Sequence, residues 1–358
     1  MKTRNVLGFF SLCAVLAACN NDKKNELPTI NFDTTLLKNT YTPGDPIQLG
    51  VENPQNAIID SVVYFFNDLK IAATKGAEKT TYTITEQRFG PKTLKSVAYV
   101  AGQAIESALE IKVLPAEANE EWTFTVVNTF PHDTKAYTQG LEFYGDILIE
   151  STGNGVSAAG NKGKSSIRKV NPKTGEIIQI TELDDTIFGE GATVLNNKIY
   201  QLTYKNNEAY VYNLETLQKE QTLPYFKSTE GWGLTNDGTY LYMTDGSDKM
   251  YKVDPQGFSK IEEFYVASHA NTIPTINELE WVDGKIYANF YGSNLIGVID
   301  PNTGRVEAAI DFTPLLSQLS NHPDQDVFNG VAYNKKTGTF FVTGKNWDKM
   351  FEVKINKK

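Results

Sequence analysis

The sequence predicts an all-β chain in two parts, and three observations carry that prediction. Apolar runs of strand length alternate with polar residues and are separated by turn signals. Beyond residue 122, five segments repeat one plan at a nearly regular interval. The turns in that part carry sequences such as Asp300-Pro301-Asn302-Thr303-Gly304, in which Gly can take a positive φ. The chain has 358 residues, more than one core usually serves, so two domains are expected.

Residues 1–18 read as a signal peptide. Lys2 and Arg4 form a basic start, and the apolar run 6–15 is too short to span a bilayer. Leu16-Ala17-Ala18-Cys19 resembles a bacterial lipoprotein signal. That resemblance implies acylation of Cys19 and anchoring in the cell envelope, on the periplasmic or surface face of the outer membrane. Several acyl chains on one Cys would hold firmly. Asn20 carries no inner-membrane retention signal, and an ordinary secretory signal is the alternative reading. Residues 19–27 are polar and read as a tether. The two cysteines are Cys13 and Cys19, so cleavage and acylation leave no free thiol and no disulfide. Thiol nucleophiles, Cys-zinc sites and redox chemistry are thereby excluded. Loss of Lys2 and Arg4 takes the formal net charge from −9 to −11, and an acidic surface argues against a nucleic-acid partner.

Residues 28–115 hold short alternating runs at 47–51, 61–66, 81–84, 96–100 and 108–113, with turn chemistry at Pro43-Gly44-Asp45-Pro46 and Asn67-Asp68. This spacing predicts an antiparallel immunoglobulin-like β-sandwich. No acid, base or ligand cluster stands out in it, so it reads as a spacer or docking module. Residues 116–121 are polar and aperiodic and read as a linker.

Residues 122–358 carry the repeat. Ile147, Ile199, Leu241, Ile286 and Phe340 hold equivalent positions, at intervals of 52, 42, 45 and 54 residues. That interval suits one four-stranded blade, so a five-bladed β-propeller is expected, with residues 122–128 pairing with the last blade to close the ring. The runs 146–150, 198–202, 240–243, 285–289 and 339–343 are expected to line the channel. The segments just upstream of them would gather at one mouth, where several blades can each offer a side chain.

Those upstream segments are polar and aromatic and do not repeat. They are Ala136-Tyr137-Thr138-Gln139-Gly140-Leu141, Phe188-Gly189-Glu190-Gly191, Glu230-Gly231-Trp232-Gly233-Leu234-Thr235, Asn277-Glu278-Leu279-Glu280-Trp281 and Asn329-Gly330-Val331-Ala332-Tyr333. A repeat conserving fold alone has no need of a different polar residue at the same phase in each blade; packing and turn residues are the competing account. Glu190 stands out, because glycines flank it and leave the backbone open to dihedrals other residues avoid. The apolar Phe188 beside it would raise its pKa, as a proton shuttle requires, whereas a solvated turn Glu would show no such shift. Residues 154–166, rich in Gly, Ser and Ala, read as a flexible loop or a lid.

Taken in order, Tyr137-Thr138-Gln139-Gly140-Leu141, Glu150-Ser151-Thr152-Gly153, Phe188-Gly189-Glu190-Gly191, Glu230-Gly231-Trp232-Gly233-Leu234-Thr235, Asn277-Glu278-Leu279-Glu280-Trp281 and Thr343-Gly344-Lys345-Asn346-Trp347 resemble the glutamine cyclotransferases of plant and bacterial type. The resemblance covers about residues 124–355. It implies a five-bladed propeller that acts alone as a monomer and needs no cofactor, converting the N-terminal Gln of peptides or proteins to pyroglutamate with loss of ammonia. It places Glu190 at the family's catalytic carboxylate and Phe188 beside it. Tyr137 and Gln139 fall on a Phe-x-Gln pair, with Tyr for Phe. Asn277 and Lys345 match polar residues of the site. Trp232 matches one of three pocket Trp, and Tyr204 and Tyr291 stand at the other two. Tyr keeps an aromatic wall and adds a hydroxyl, which bears on substrate preference more than on the reaction.

The residue types suit that reaction. A carboxylate can take a proton from the α-amine and give one to departing ammonia. Both reacting groups belong to one substrate, so the main task is to hold the Gln side chain folded back. Asn277, Gln139 or Lys345 could donate to the oxyanion. His132, His269 and His322 lack paired metal-ligand spacing and read as solvated or hydrogen-bonding loop residues. Asp245-Gly246-Ser247-Asp248 reads as a turn, with a structural Ca²⁺ as the alternative. No Gly-x-Ser-x-Gly elbow is present for a Ser nucleophile. Two rival functions are a non-catalytic surface propeller binding peptide or glycan, and a metal-dependent lactone hydrolase.

Overall fold

The computed structural model describes residues 27–157 and 159–358. The signal-like segment, Cys19 and the tether up to residue 26 lie outside the described residues. Two 3-10 turns, Thr34–Leu36 and Thr313–Gln318, are the helical elements among the described residues, and the other regular elements are strands.

Five antiparallel four-stranded units follow one another along the second part; the first three are separate sheets, and the fourth and fifth are joined into one eight-stranded sheet by the parallel pairing of Glu120, Glu121 and Trp122 with Ala308, Ala309 and Ile310. The first comprises Thr138–Tyr144, Ile147–Thr152, Ser166–Val170 and Ile177–Glu182. The second comprises Gly189–Leu195, Lys198–Thr203, Glu208–Asn213 and Lys219–Pro224. Leu234–Asn236, Leu241–Thr244, Lys249–Val253 and Lys260–Tyr265 form the third, and Ile276–Val282, Lys285–Phe290, Leu295–Ile299 and Val306–Asp311 the fourth. The fifth takes Phe328–Asn334, Thr339–Gly344 and Lys349–Asn356, and its outermost strand is Glu120–Pro131 from the start of this part. Thr123 faces Asn356 and Pro131 faces Lys349 in that pairing, so the chain's end is tied to its middle. Successive first strands touch, first to second through fifth to first, which closes a ring.

The expected channel-lining runs are the second strands of the five sheets, not the first. The residues read as insertions upstream are themselves the first strands. The physical reason is burial. Second strands lie between neighbouring sheets and are buried on both faces, as Ile199 and Leu202 are, so they give the strongest apolar signal. First strands are just as buried, but polar residues such as Gln139, Glu190 and Asn277 interrupt their apolar run. Outer strands alternate, with Ile178 and Ile180 exposed on Ile177–Glu182. The repeat interval survives because every sheet shifts by the same one strand.

The N-terminal part holds a five-stranded sheet in the order Thr40–Tyr41, Gln103–Val113, Gly90–Val100, Ser61–Phe66, Leu69–Lys75. Pro46–Leu49 pairs with Thr80–Thr83, and Asn31–Phe32 with Val51–Glu52. Tyr41, Ile47, Leu49, Val62, Tyr64 and Leu94 share one core. Strand Leu69–Lys75 escaped the sequence reading because its residues are exposed or half-buried and show no alternation. Arg88 ties this part to the ring: it donates to the Pro301 carbonyl at 2.6 Å, pairs with Glu262, and lies 4.4 Å over the Phe264 ring.

Candidate active site

Four of the five first strands carry a bulge near their start. The register slips between Thr138 and Gly140, Gly189 and Ala192, Ile276 and Leu279, and Phe328 and Val331. A bulge leaves a residue out of the ladder and re-aims its side chain. The residues so freed are Gln139, Glu190 with Gly191, Asn277 with Glu278, and Asn329 with Gly330. In the third sheet, Trp232 stands just ahead of the short strand Leu234–Asn236.

The structure brings all nine predicted side chains around one cavity of about 180 Å³: Tyr137, Gln139, Phe188, Glu190, Tyr204, Trp232, Asn277, Tyr291 and Lys345. Phe188 meets Tyr137 edge-on at 6.1 Å and Tyr204 at 5.6 Å, and Trp232 meets Tyr291 edge-on at 5.6 Å. The Lys345 ammonium closes this aromatic circuit, 4.8 Å from the Tyr137 centroid and 5.0 Å from that of Tyr291. Tyr291 is 43% exposed and forms the rim.

Glu190 is buried, and its one side-chain hydrogen bond among the described residues is a long one, 3.3 Å from Gln139 Nε2 to Oε1. Ser151 Oγ donates to its carbonyl oxygen and Gly191 N to the Trp232 carbonyl at 2.7 Å, which fixes the backbone. Gly189 and Gly191 are needed for close approach rather than for unusual dihedrals, since neither has a positive φ. A Cβ on Gly191 would stand 2.5 Å from Leu234 N and 2.6 Å from the Trp232 carbonyl. Burial pushes the Glu190 carboxyl well above its usual 4.5; Lys345 opposes that rise and Glu230 adds to it. Burial pulls the Lys345 ammonium down, against Glu190 and Asp326. The two groups share a dry field in which neither charge is fully paired.

Asn277 Oδ1 is buried without a partner among the described residues. Tyr137 donates to Asp326 Oδ2 at 3.2 Å, and Trp232 Nε1 to Glu230 Oε2 at 3.1 Å. The loop 154–166 is fastened rather than free. Asn161 Nδ2 donates to Asp324 Oδ1 at 2.9 Å, and the loop sets Gly155 against the Tyr137 ring, where a Cβ would be 2.4 Å from Cζ. His132 is hydrogen-bonded but buried instead of solvated, in an ionic cluster with Glu150 and Arg168. Asp245 accepts from Ser247, Tyr251 and Thr229, so its oxygens are already engaged in a turn. Among the described residues no three His, Cys, Asp or Glu side chains converge as metal ligands.

A larger hollow of about 570 Å³ opens at the other end of the first strands, near Glu142, Val194, Glu280, Trp281 and Tyr333. Its carboxylates serve the fold: Glu142 accepts from Val194 N at 3.2 Å and Glu280 from Tyr333 N at 2.8 Å. Above them, Glu278 accepts from Leu141 N and Val331 N and so ties three sheets together. The sequence placed Asn329, Glu230 and Glu278 in the segments at the mouth without giving them a part in the site, and it missed Asp326, which stands outside every repeated segment.

The glutamine cyclotransferase family profile matches residues 96–355. The chain is 35% identical over 259 residues to a glutaminyl-peptide cyclotransferase of Arabidopsis thaliana, covering 72% of this chain and 77% of that one. It superposes on the crystal structure of Myxococcus xanthus glutaminyl cyclase with a TM-score of 0.60 and 31% identity, covering 66% of this chain and 98% of that chain.

Proposed function

Because the chain belongs to the glutamine cyclotransferase family, we propose that it closes the N-terminal glutaminyl residue of peptides and proteins to pyroglutamate, with Glu190 moving the proton. The observation that carries this reading is Glu190 itself, a buried carboxyl with a raised pKa in an aromatic cavity, held by one long hydrogen bond.

The neutral α-amine attacks the γ-amide carbon of its own side chain. Glu190 takes the proton the amine loses. The carbon–nitrogen bond to the amide then breaks, and Glu190 returns the proton to the leaving group, which departs as ammonia. The carboxylate ends as it began, so the cycle balances without a protein nucleophile or a metal. Gln139 Nε2 is committed to Glu190, which leaves Asn277 and the Lys345 ammonium as donors to the oxyanion; one such donor is typically worth about 3 kcal/mol. Phe188, Tyr204, Trp232 and Tyr291 pack the Gln methylenes and exclude water, and a folded-back side chain gains most from that confinement.

The test is ammonia release from a Gln-initiated dipeptide, with and without a chelator. Release is expected in both cases, and none from the N-acetylated dipeptide, whose nitrogen cannot attack. A folded protein that releases no ammonia would overturn the reading.

We also read residues 122–358 as a five-bladed propeller and residues 28–115 as an immunoglobulin-like sandwich. Cys19 we read as a lipid anchor to the outer membrane. Labelling with a palmitate analogue should mark the wild-type protein and spare Cys19→Ser.

A further inference from the structure

Of the five bulge residues with an amide or carboxyl, Gln139, Glu190 and Asn277 line the cavity, and Glu278 is taken up by the backbone of two neighbouring sheets. The fifth, Asn329 of the fifth sheet, is fully buried. Its Nδ2 donates to the Thr138 carbonyl at 3.0 Å and to Gln139 Oε1 at 3.3 Å. We propose that Asn329 is a positioning residue for the cyclisation, which sets the direction of the Gln139 amide and so decides what Glu190 meets. This rests on Glu190 as the proton-moving group.

The argument is one of donors and acceptors. A backbone carbonyl can only accept, so Asn329 must turn Nδ2, not Oδ1, toward Thr138. The same Nδ2 then faces Gln139, which must answer with Oε1. Its Nε2 is thereby left to donate to Glu190. Each amide is oriented by the one behind it, and the series ends on a fixed piece of backbone. Without it, Gln139 is free to flip. A flipped amide would set oxygen against the Glu190 carboxylate, favouring the protonated acid and removing the base. Asn329 Oδ1, meanwhile, is buried with no partner among the described residues. An unmade buried hydrogen bond is a cost that an apolar residue of the same shape would avoid. Packing alone therefore does not account for an asparagine here.

A purely structural role is the rival, since the bond to Thr138 also ties the fifth sheet to the first. The two accounts separate in a double-mutant cycle of Asn329→Leu and Gln139→Leu, read with a Gln-initiated dipeptide across pH. Asn329→Leu is expected to lower kcat about 10- to 100-fold, the usual cost of losing an orienting partner. It should also move the acid limb of kcat/KM to higher pH. In the Gln139→Leu background the same substitution should cost nothing further. The charged and titratable groups around Glu190 are Lys345, Glu230, Tyr137 and Tyr225, and none of them is altered by these changes. Should Asn329→Leu fold poorly, Asn329→Ser, too short to reach Gln139, serves in its place. Effects that add in full, or an acid limb that stays put, overturn the proposal. A Glu190→Gln control separates the two failures. If that variant turns over normally, the reading of Glu190 falls and the positioning role with it; if it is inactive while the cycle is additive, only the role of Asn329 falls.

Discussion

Glu150 and Glu190 are buried carboxyls on neighbouring sheets, and they differ in their company. Glu150 accepts from His132 Nε2 at 3.0 Å, from Thr138 Oγ1 at 2.7 Å and from Arg168 Nε at 2.9 Å, and Arg168 Nη2 lies 2.7 Å from its Oε2. Burial alone would push its pKa up, but the Arg168 guanidinium and His132 outweigh burial and hold it below the usual range. Glu190 has one 3.3 Å bond, and its pKa rises. Thr138 and Gln139 are adjacent in sequence, and one serves each carboxyl. The fold thus fixes a charge where both carboxylate oxygens are hydrogen-bonded. It leaves Glu190 poised with one long hydrogen bond, the kind of shifted group that marks a candidate proton carrier.

The sharpest way to break this contrast is to neutralise Glu190 and to strip Glu150 of its guanidinium. Glu190→Gln should lower kcat by about 10²–10⁴-fold, the range for a proton-transfer group. It should leave the melting temperature unchanged or raised, because a neutral amide replaces a poorly satisfied carboxyl. A variant that loses stability but keeps turnover would reverse the roles. The opposite outcome is expected at Glu150. Arg168→Met leaves that carboxylate and Asp133 without their guanidinium, and removing one partner of a buried pair typically costs about 3–5 kcal/mol. Urea unfolding should show that loss, while the folded fraction keeps its kcat within a few-fold.

The two carboxyls should also give opposite slopes of stability against pH. The folded pKa of Glu150 is depressed, so its contribution is present above the ordinary value near 4.5 and is lost as pH falls through the folded value. The folded pKa of Glu190 is raised. Its contribution is present below 4.5 and is lost as pH rises through the higher folded value. Melting curves should therefore show Glu190→Gln declining less than wild type on the alkaline side. Parallel curves would mean that Glu190 titrates as an exposed carboxylate does.

Much of the site was legible because it is written in residue types that a ring of β-sheets does not otherwise need. Gln139, Glu190, Trp232 and Asn277 sit at one phase of the repeat, and burial of the second strands made that repeat visible. Which strand faces the channel was misread for the same reason: the apolar signal marks the strand between sheets, not the one at the centre. The support around Glu190 was illegible. Ser151 reaches it through a carbonyl, Asn329 through Gln139, and Gly191 through the space that Trp232 leaves. Such contacts depend on register between residues 39 or more positions apart, which no local pattern encodes.

The smallest effect is expected where the two regions differ most in kind, at the rim. Around Glu150, hydrogen-bond direction fixes every partner. Around Lys345, contact is with ring faces, which tolerate a change of ring. Tyr291→Trp keeps an aromatic under the ammonium, now 5.0 Å from the Tyr291 centroid, and Trp is the better partner for a cation. The gain is about 0.5–1 kcal/mol at a half-exposed position, so KM should shift by no more than about fivefold. Glu190, Asn277 and Lys345 keep their places, so kcat should stay within about threefold, since uniform binding alters KM without touching the chemical step. Steady-state kinetics on a Gln-initiated dipeptide and on a longer Gln-initiated peptide would check this. A kcat falling more than tenfold would mean that the Tyr291 hydroxyl takes part in the reaction and that the rim is as directional as the cluster around Glu150.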